Sequence, residues 1–178
     1  MAAFPAPRRI IMRRAFRLLD RSIEFLVFAC FLAIVLVGTA QVFNRYVLNL
    51  SLSWSEEFQR YGHVWLVFLG IPVAYRRGMH IGMETLAGGL SARGKRIFQF
   101  VIDLLWCALA LALLIGLGQL MQFLNFQRSP GMRLPMPYAY GGILIGAGYM
   151  LLIGLRRIVD NLRGLPPESD EYSGQVTP

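Results

Sequence analysis

The chain has 178 residues, 56% of them hydrophobic and 16% charged, with a mean hydropathy of +0.50. That composition excludes an ordinary water-soluble domain, because whole stretches of about 20 residues are apolar on every side. The net charge of +8 and pI of about 10.2 would raise nucleic acid as a partner in a soluble protein, but here the basic residues flank apolar runs and no nucleic-acid-binding module is visible.

Residues 1–21 form a basic N-terminal segment. Its Arg13-Arg14 pair resembles a twin-arginine export signal only superficially, since the apolar run that follows is of spanning length and three more come after it. That first run, Ile23 to Phe43, is interrupted by Glu24 near its start and by Gly38-Thr39 and Gln41 toward its end. The next apolar core, Val64 to Tyr75, is too short to cross alone, so the second span is predicted over about 56–75, with Arg60 and His63 at or near the membrane boundary. Between about 79 and 90 the chain is glycine-broken, with Met83, Leu86 and Leu90 on one helical face and His80 and Glu84 on another. This pattern predicts an amphipathic helix lying in the membrane interface.

The third span is predicted over 97–124, polar only at Gln99, Asp103, Gln119 and Gln122, and the fourth over about 137–157, opened by a proline suited to a first helical turn. Arg128-Ser129-Pro130-Gly131 reads as a turn, and so short a connection makes the last two helices antiparallel neighbours. The membrane domain is thus assigned to 22–160. Residues 161–178, with Pro166-Pro167 followed by Glu168, Asp170 and Glu171, have the composition of a disordered tail.

Positive loops resist translocation, so Lys and Arg mark the cytoplasmic side. Arg8, Arg9, Arg13, Arg14, Arg17 and Arg21 precede span one; Arg76, Arg77, Arg93, Lys95 and Arg96 separate spans two and three; Arg156, Arg157 and Arg163 follow span four. The opposite side holds only Arg45, Arg60, Arg128 and Arg133. The expected fold is an all-α integral membrane protein with four spans and both termini inside.

Few residues here have the types and spacing that chemistry requires. Cys30 and Cys107 stand alone in apolar runs, with no CxxC and no Cys/His cluster, and read as structural thiols. His80 and Glu84 lie one turn apart, but the remaining ligands of a metal shell are missing. Neither a cofactor nor a catalytic residue is expected. Span two is more informative. Trp54, Phe58, Tyr61, Trp65, Phe68, Pro72 and Tyr75 fall on one helical stripe, and Glu56, Arg60, His63, Val67 and Gly70 fall roughly opposite. An aromatic stripe serves packing, lipid contact or interfacial anchoring. A Glu/Arg/His face near hydrocarbon points to a protein interior, a water cavity or a partner. Spacing allows Arg60 to pair with Glu56 or Glu57 in its own helix; pairing with another subunit is the alternative. Asp103 has no neighbour of opposite charge in its own helix, so its partner lies elsewhere or it is protonated. In span four, Gly141, Gly142, Gly146 and Gly148 form a smooth ridge that admits another backbone.

Arg45-Tyr46-Val47, Ser53-Trp54-Ser55-Glu56-Glu57, Trp65-Leu66-Val67-Phe68-Leu69-Gly70 and Arg76-Arg77-Gly78-Met79-His80-Ile81 come in a specific order and spacing. Together they resemble the small membrane subunit of tripartite ATP-independent periplasmic (TRAP) transporters, the DctQ-like type. The match is centred on about Gln41 to Leu90, and the four-span plan extends it over most of the chain. The resemblance implies a complex in the inner membrane of a bacterium or archaeon. A periplasmic binding protein would deliver an organic acid to a large membrane subunit driven by an ion gradient, and this non-enzymatic chain would brace that separate large subunit. Substrate choice is then expected in another polypeptide. Arg45, Trp54, Glu56, Glu57, Arg60, Trp65, Gly70, His80 and Asp103 are the candidate subunit-contact or bundle residues. Two rivals fit less well. A stand-alone four-helix exporter would be much shorter, and a four-helix electron-transfer protein would need facing histidine or exposed cysteine pairs.

Overall fold

The computed structural model describes residues 7–50, 52–76, 89 and 91–163, with the side chains of 7–15 and 92 excepted. Four helices account for nearly all of them: α1 (Pro7–Val47), α2 (Ser53–Arg76), α3 (Ala92–Leu124) and α4 (Met136–Leu162). The basic segment before span one is helical from Pro7, continuous with the apolar run, and α4 continues to Leu162. The interfacial segment over 79–90, with His80, and the tail beyond Arg163 lie outside the described residues, Gly89 excepted.

Three of the helices are long and apolar enough to cross a membrane, over Phe16–Val47, Arg93–Leu124 and Met136–Leu162. The exception is α2. At 24 residues it would reach about 36 Å, but Glu56, Glu57, Gln59, Arg60 and His63 crowd its first half.

Local sequence sets the helix boundaries. Ser91 caps α3, its hydroxyl accepting from the Gly94 N–H at 3.3 Å. Pro137 occupies the first turn of α4, where a missing N–H costs nothing. Between α3 and α4 the chain folds back tightly. Ser129 and Arg133 bond through their backbones at 3.0 Å, Ser129 N–H donates to the Leu134 carbonyl at 2.9 Å, and Arg133 takes φ of 53°.

Close backbone packing joins α1 to α2, α2 to α4, and α4 to α3. The spatial order is therefore α1, α2, α4, α3, and the last two helices are antiparallel neighbours as their short connection predicts. Glycines make each contact. On α2, a Cβ at Gly62 would stand 2.8 Å from Cγ1 of Ile34 on α1. On α4, a Cβ at Gly142 would meet the Trp65 ring at 2.7 Å, and one at Gly154 would meet Sγ of Cys107 on α3 at 2.5 Å. The glycine ridge of α4 is thus filled by α2, through Gly142 and Gly146. Gly148, on another side, faces open space. Ile23, Leu69, Tyr75, Tyr149 and Ile153 form the buried apolar cluster where α1, α2 and α4 converge.

Candidate functional site

The polar side chains divide into two internal layers and one uncovered face. The first layer lies where α1 and α3 begin and α2 and α4 end. Arg76, the last residue of α2, reaches α1: its Nη1 donates to Oδ2 of Asp20 at 2.8 Å and its Nη2 donates to Oε1 of Glu24. The other Asp20 oxygen accepts from the Tyr149 hydroxyl of α4 at 2.5 Å. Beside this group, the Tyr75 hydroxyl donates to Oδ1 of Asp103 on α3. The Arg157 guanidinium of α4 lies 4.6 Å from the Tyr75 ring centre, donates to the Tyr75 carbonyl at 3.2 Å and stands 4.0 Å from the Asp103 carboxylate. Two adjacent clusters thus knit all four helices. Asp20 and Asp103 are buried, and a carboxylate is tolerated at low polarity only with such partners.

The second layer lies at the far end, centred on Glu57. This buried carboxylate accepts from the backbone N–H groups of Gly131 and Met132, both at 2.9 Å. One side chain of α2 thereby holds the α3–α4 hairpin. A Cβ at Gly131 would stand 3.2 Å from both Cδ of Glu57 and the Ser53 carbonyl, so the turn needs glycine there. Nearby, Gln59 donates to Gln41 of α1, and the Trp65 indole N–H donates to the Tyr138 carbonyl at 3.0 Å. The Tyr61 and Tyr140 rings meet edge to face, 6.5 Å apart.

The aromatic stripe of α2 points inward. Tyr61, Pro72 and Tyr75 are buried, and Phe58, Trp65 and Phe68 are half-buried; Trp54 is 41% exposed and packs edge-on against Phe58. The opposite stripe is uncovered. Glu56, Arg60, His63 and Val67 are exposed, and Gly70 has nothing within 4 Å of where a Cβ would lie. Among the described residues, no ion pair involves Glu56 or Arg60, so the pairing within the helix that their spacing allows does not form. Arg45, at the end of α1, is also exposed.

The nine candidates therefore occupy different surroundings. Glu57, Trp65 and Asp103 are tied to other helices of this chain. Arg45, Trp54, Glu56 and Arg60 face outward, Gly70 borders the uncovered stripe, and His80 lies outside the described residues. Sequence reasoning missed Asp20, Tyr75, Arg76, Tyr149 and Arg157 as partners. Asp103, an acid without a local counter-charge, was the signal that could have led to two of them. Among the described residues, no three His, Cys, Asp or Glu side chains gather as a metal site.

The family model described as tripartite ATP-independent periplasmic transporters, DctQ component, matches residues 34–164. A Haemophilus influenzae protein named as a TRAP transporter small permease is 27% identical over 154 residues, covering 85% of this chain and 94% of that protein. The isethionate TRAP transporter permease protein DctMQ of Oleidesulfovibrio alaskensis is 30% identical over 156 residues, which is 82% of this chain but only 24% of that much longer polypeptide. The C4-dicarboxylate TRAP transporter small permease protein DctQ of Vibrio cholerae is 31% identical over 96 residues, 53% of this chain and 41% of the relative.

Proposed function

This chain belongs to the DctQ-component family of TRAP transporters, and from that premise we propose that it is the non-catalytic brace of a separate large permease subunit. The complex takes up an organic acid delivered by a periplasmic binding protein, driven by an ion gradient. Isethionate and C4-dicarboxylates, which give two of the relatives their names, are small organic acids. The DctMQ relative is about four times longer than the stretch matching this chain, as a small permease segment joined to a large one would be.

The observation that carries the bracing role is how the internal carboxylates are used. Asp20 and Glu24 hold Arg76, Asp103 holds Tyr75 beside Arg157, and Glu57 holds the α3–α4 hairpin. Each fixes one helix to another, which suits a unit against which something else moves better than a unit that itself binds and releases cargo.

The proposal includes α2 as a fourth span. It runs along α1 from the Gln59–Gln41 bond to the Arg76–Asp20 pair, and those α1 residues are about 32 Å apart along the helix, close to the hydrocarbon thickness. With four spans in the inner membrane and arginine-rich ends, both termini lie in the cytoplasm.

Reconstitution tests the role. Vesicles holding the large subunit and supplied with binding protein should accumulate the acid only when this chain is present. Full uptake without it would overturn the bracing role.

A further inference from the structure

Among the described residues nothing covers the Glu56/Arg60/His63 stripe of α2, which on the four-span reading starts at the outer membrane boundary and runs inward. A Cβ at Gly62 would touch Ile34 and one at Gly38 would touch Gln59, so His63 is level with Ile34 and Arg60 with Gly38. From Gly38, α1 continues to Val47, about 14 Å further out. At these depths α1 shows Val35 and Leu36 to its surroundings, and the outer face of α3 shows Ile115 and Leu120. Those faces suit lipid. The α2 face shows a carboxylate, a guanidinium and an imidazole, each costly in hydrocarbon unless paired.

The hydrogen-bonding state of the stripe is specific. The His63 Nδ1 lies 2.6 Å from the Gln59 carbonyl of its own helix. A carbonyl only accepts, so Nδ1 carries a proton, and Nε2 is the ring nitrogen left for an outside partner. Reading outward to inward, the stripe offers an acceptor at Glu56, a donor at Arg60 and a free ring nitrogen at His63. Val67, Gly70 and Ala74 continue it inward with little bulk, and Gly70 leaves its backbone open to close approach.

Resting on the small-subunit reading above, we infer that this stripe is the docking face for a transmembrane helix of the large permease subunit. That helix is complementary in two parts. Its outer half carries a donor opposite Glu56, an acceptor opposite Arg60 and a polar group opposite His63. Its inner half packs a smooth surface against Val67, Gly70 and Ala74. The lipid-suited faces of α1 and α3 stay outside this contact.

The test uses both membrane subunits co-expressed, with a photo-reactive benzophenone amino acid placed at Val67 on α2, at Leu36 on α1 or at Ile115 on α3. Crosslinks to the large subunit from Val67, and to lipid alone from Leu36 and Ile115, are the expected result. In parallel, Arg60→Leu with His63→Leu should cut the co-purified large subunit at least tenfold while leaving the melting temperature of the small subunit alone within a few degrees. A lipid-facing stripe would respond oppositely, because leucine there would stabilise the chain and leave the complex intact. If the large subunit co-purifies but Val67 crosslinks only lipid or a second copy of this chain, the docking face is wrong and the small-subunit role stands. If the unsubstituted chain fails to co-purify with the large subunit, both fall together.

Discussion

Gly146 of α4 is pressed against the carbonyl oxygen of Phe68 on α2: a Cβ at this glycine would stand 2.1 Å from that oxygen. The cause lies one turn further along α2. Pro72 sits inside the helix and has no N–H, so the Phe68 carbonyl loses its usual donor, and the proline ring pushes it outward. The hydrogen that glycine carries in place of a side chain leaves room for the displaced oxygen, at a distance where weak Cα–H···O contacts form.

Gly146→Ala should therefore separate α2 from α4 and cost about 3 kcal/mol or more, since the obstacle is backbone and cannot rotate away. Gly148→Ala two residues on, where nothing lies within 4 Å, should be neutral or slightly stabilising. Thermal unfolding of the two purified variants in one detergent checks the pair.

Gly154 and Cys107 offer a test by compensation. A Cβ at Gly154 would lie 2.5 Å from the Cys107 sulfur, so Gly154→Ala should lower stability by about 1–3 kcal/mol. Adding Cys107→Ala removes the obstructing atom and should recover most of the loss, a coupling that a double-mutant cycle measures directly.

Removing Arg76 takes away the cation that Asp20 and Glu24 share. Arg76→Met should cost about 3–5 kcal/mol, the usual penalty of breaking a buried ion pair from one side. Neutralising the acids as well, with Asp20→Asn and Glu24→Gln, should regain much of it. Equal stability of the single and triple variants would show that Arg76 does not hold α1 and α2 together.

Glu57 is a hairpin anchor, and its loss should read out locally. Glu57→Ala breaks two hydrogen bonds from backbone amides to a charged acceptor. Hydrogen exchange at Gly131 and Met132 should accelerate at least tenfold, while amides in the middle of α3 keep their protection. Substitution at Glu57 therefore disturbs the fold itself, which makes Arg60 the cleaner position for probing assembly.

Much of this architecture is legible along the chain. Apolar run length marks α1, α3 and α4, and the three-and-four spacing of α2 by itself separates its aromatic side from its charged side. The turn at Arg128–Gly131 sets α3 against α4. The cross-helix partnerships are less legible. Arg76 belongs to a run of arginines that marks the cytoplasmic side, and that explanation suffices for it, so nothing nearby in sequence directs attention to Asp20, 56 residues earlier. Tyr75 and Tyr149 look like packing aromatics because their rings are apolar, and only the meeting of three helices turns their hydroxyls into partners for buried acids. Pattern along one helix reports which face is polar, but which other helix satisfies it is decided by how the helices are ordered in space.

That order bears on how the chain is made. Because α4 lies between α2 and α3, the sequence of synthesis differs from the sequence of packing. α2, the one helix of the four without an apolar run of spanning length, leaves the ribosome with only α1 to pack against, and the α4 partner of its Trp65 is made last. Glu57 cannot reach its amides until the α3–α4 hairpin exists. Until α4 is made, the polar contacts open to α2 along α1 are Gln41–Gln59 and Arg76 with Asp20 and Glu24, and its contacts with the hairpin come with the last helix.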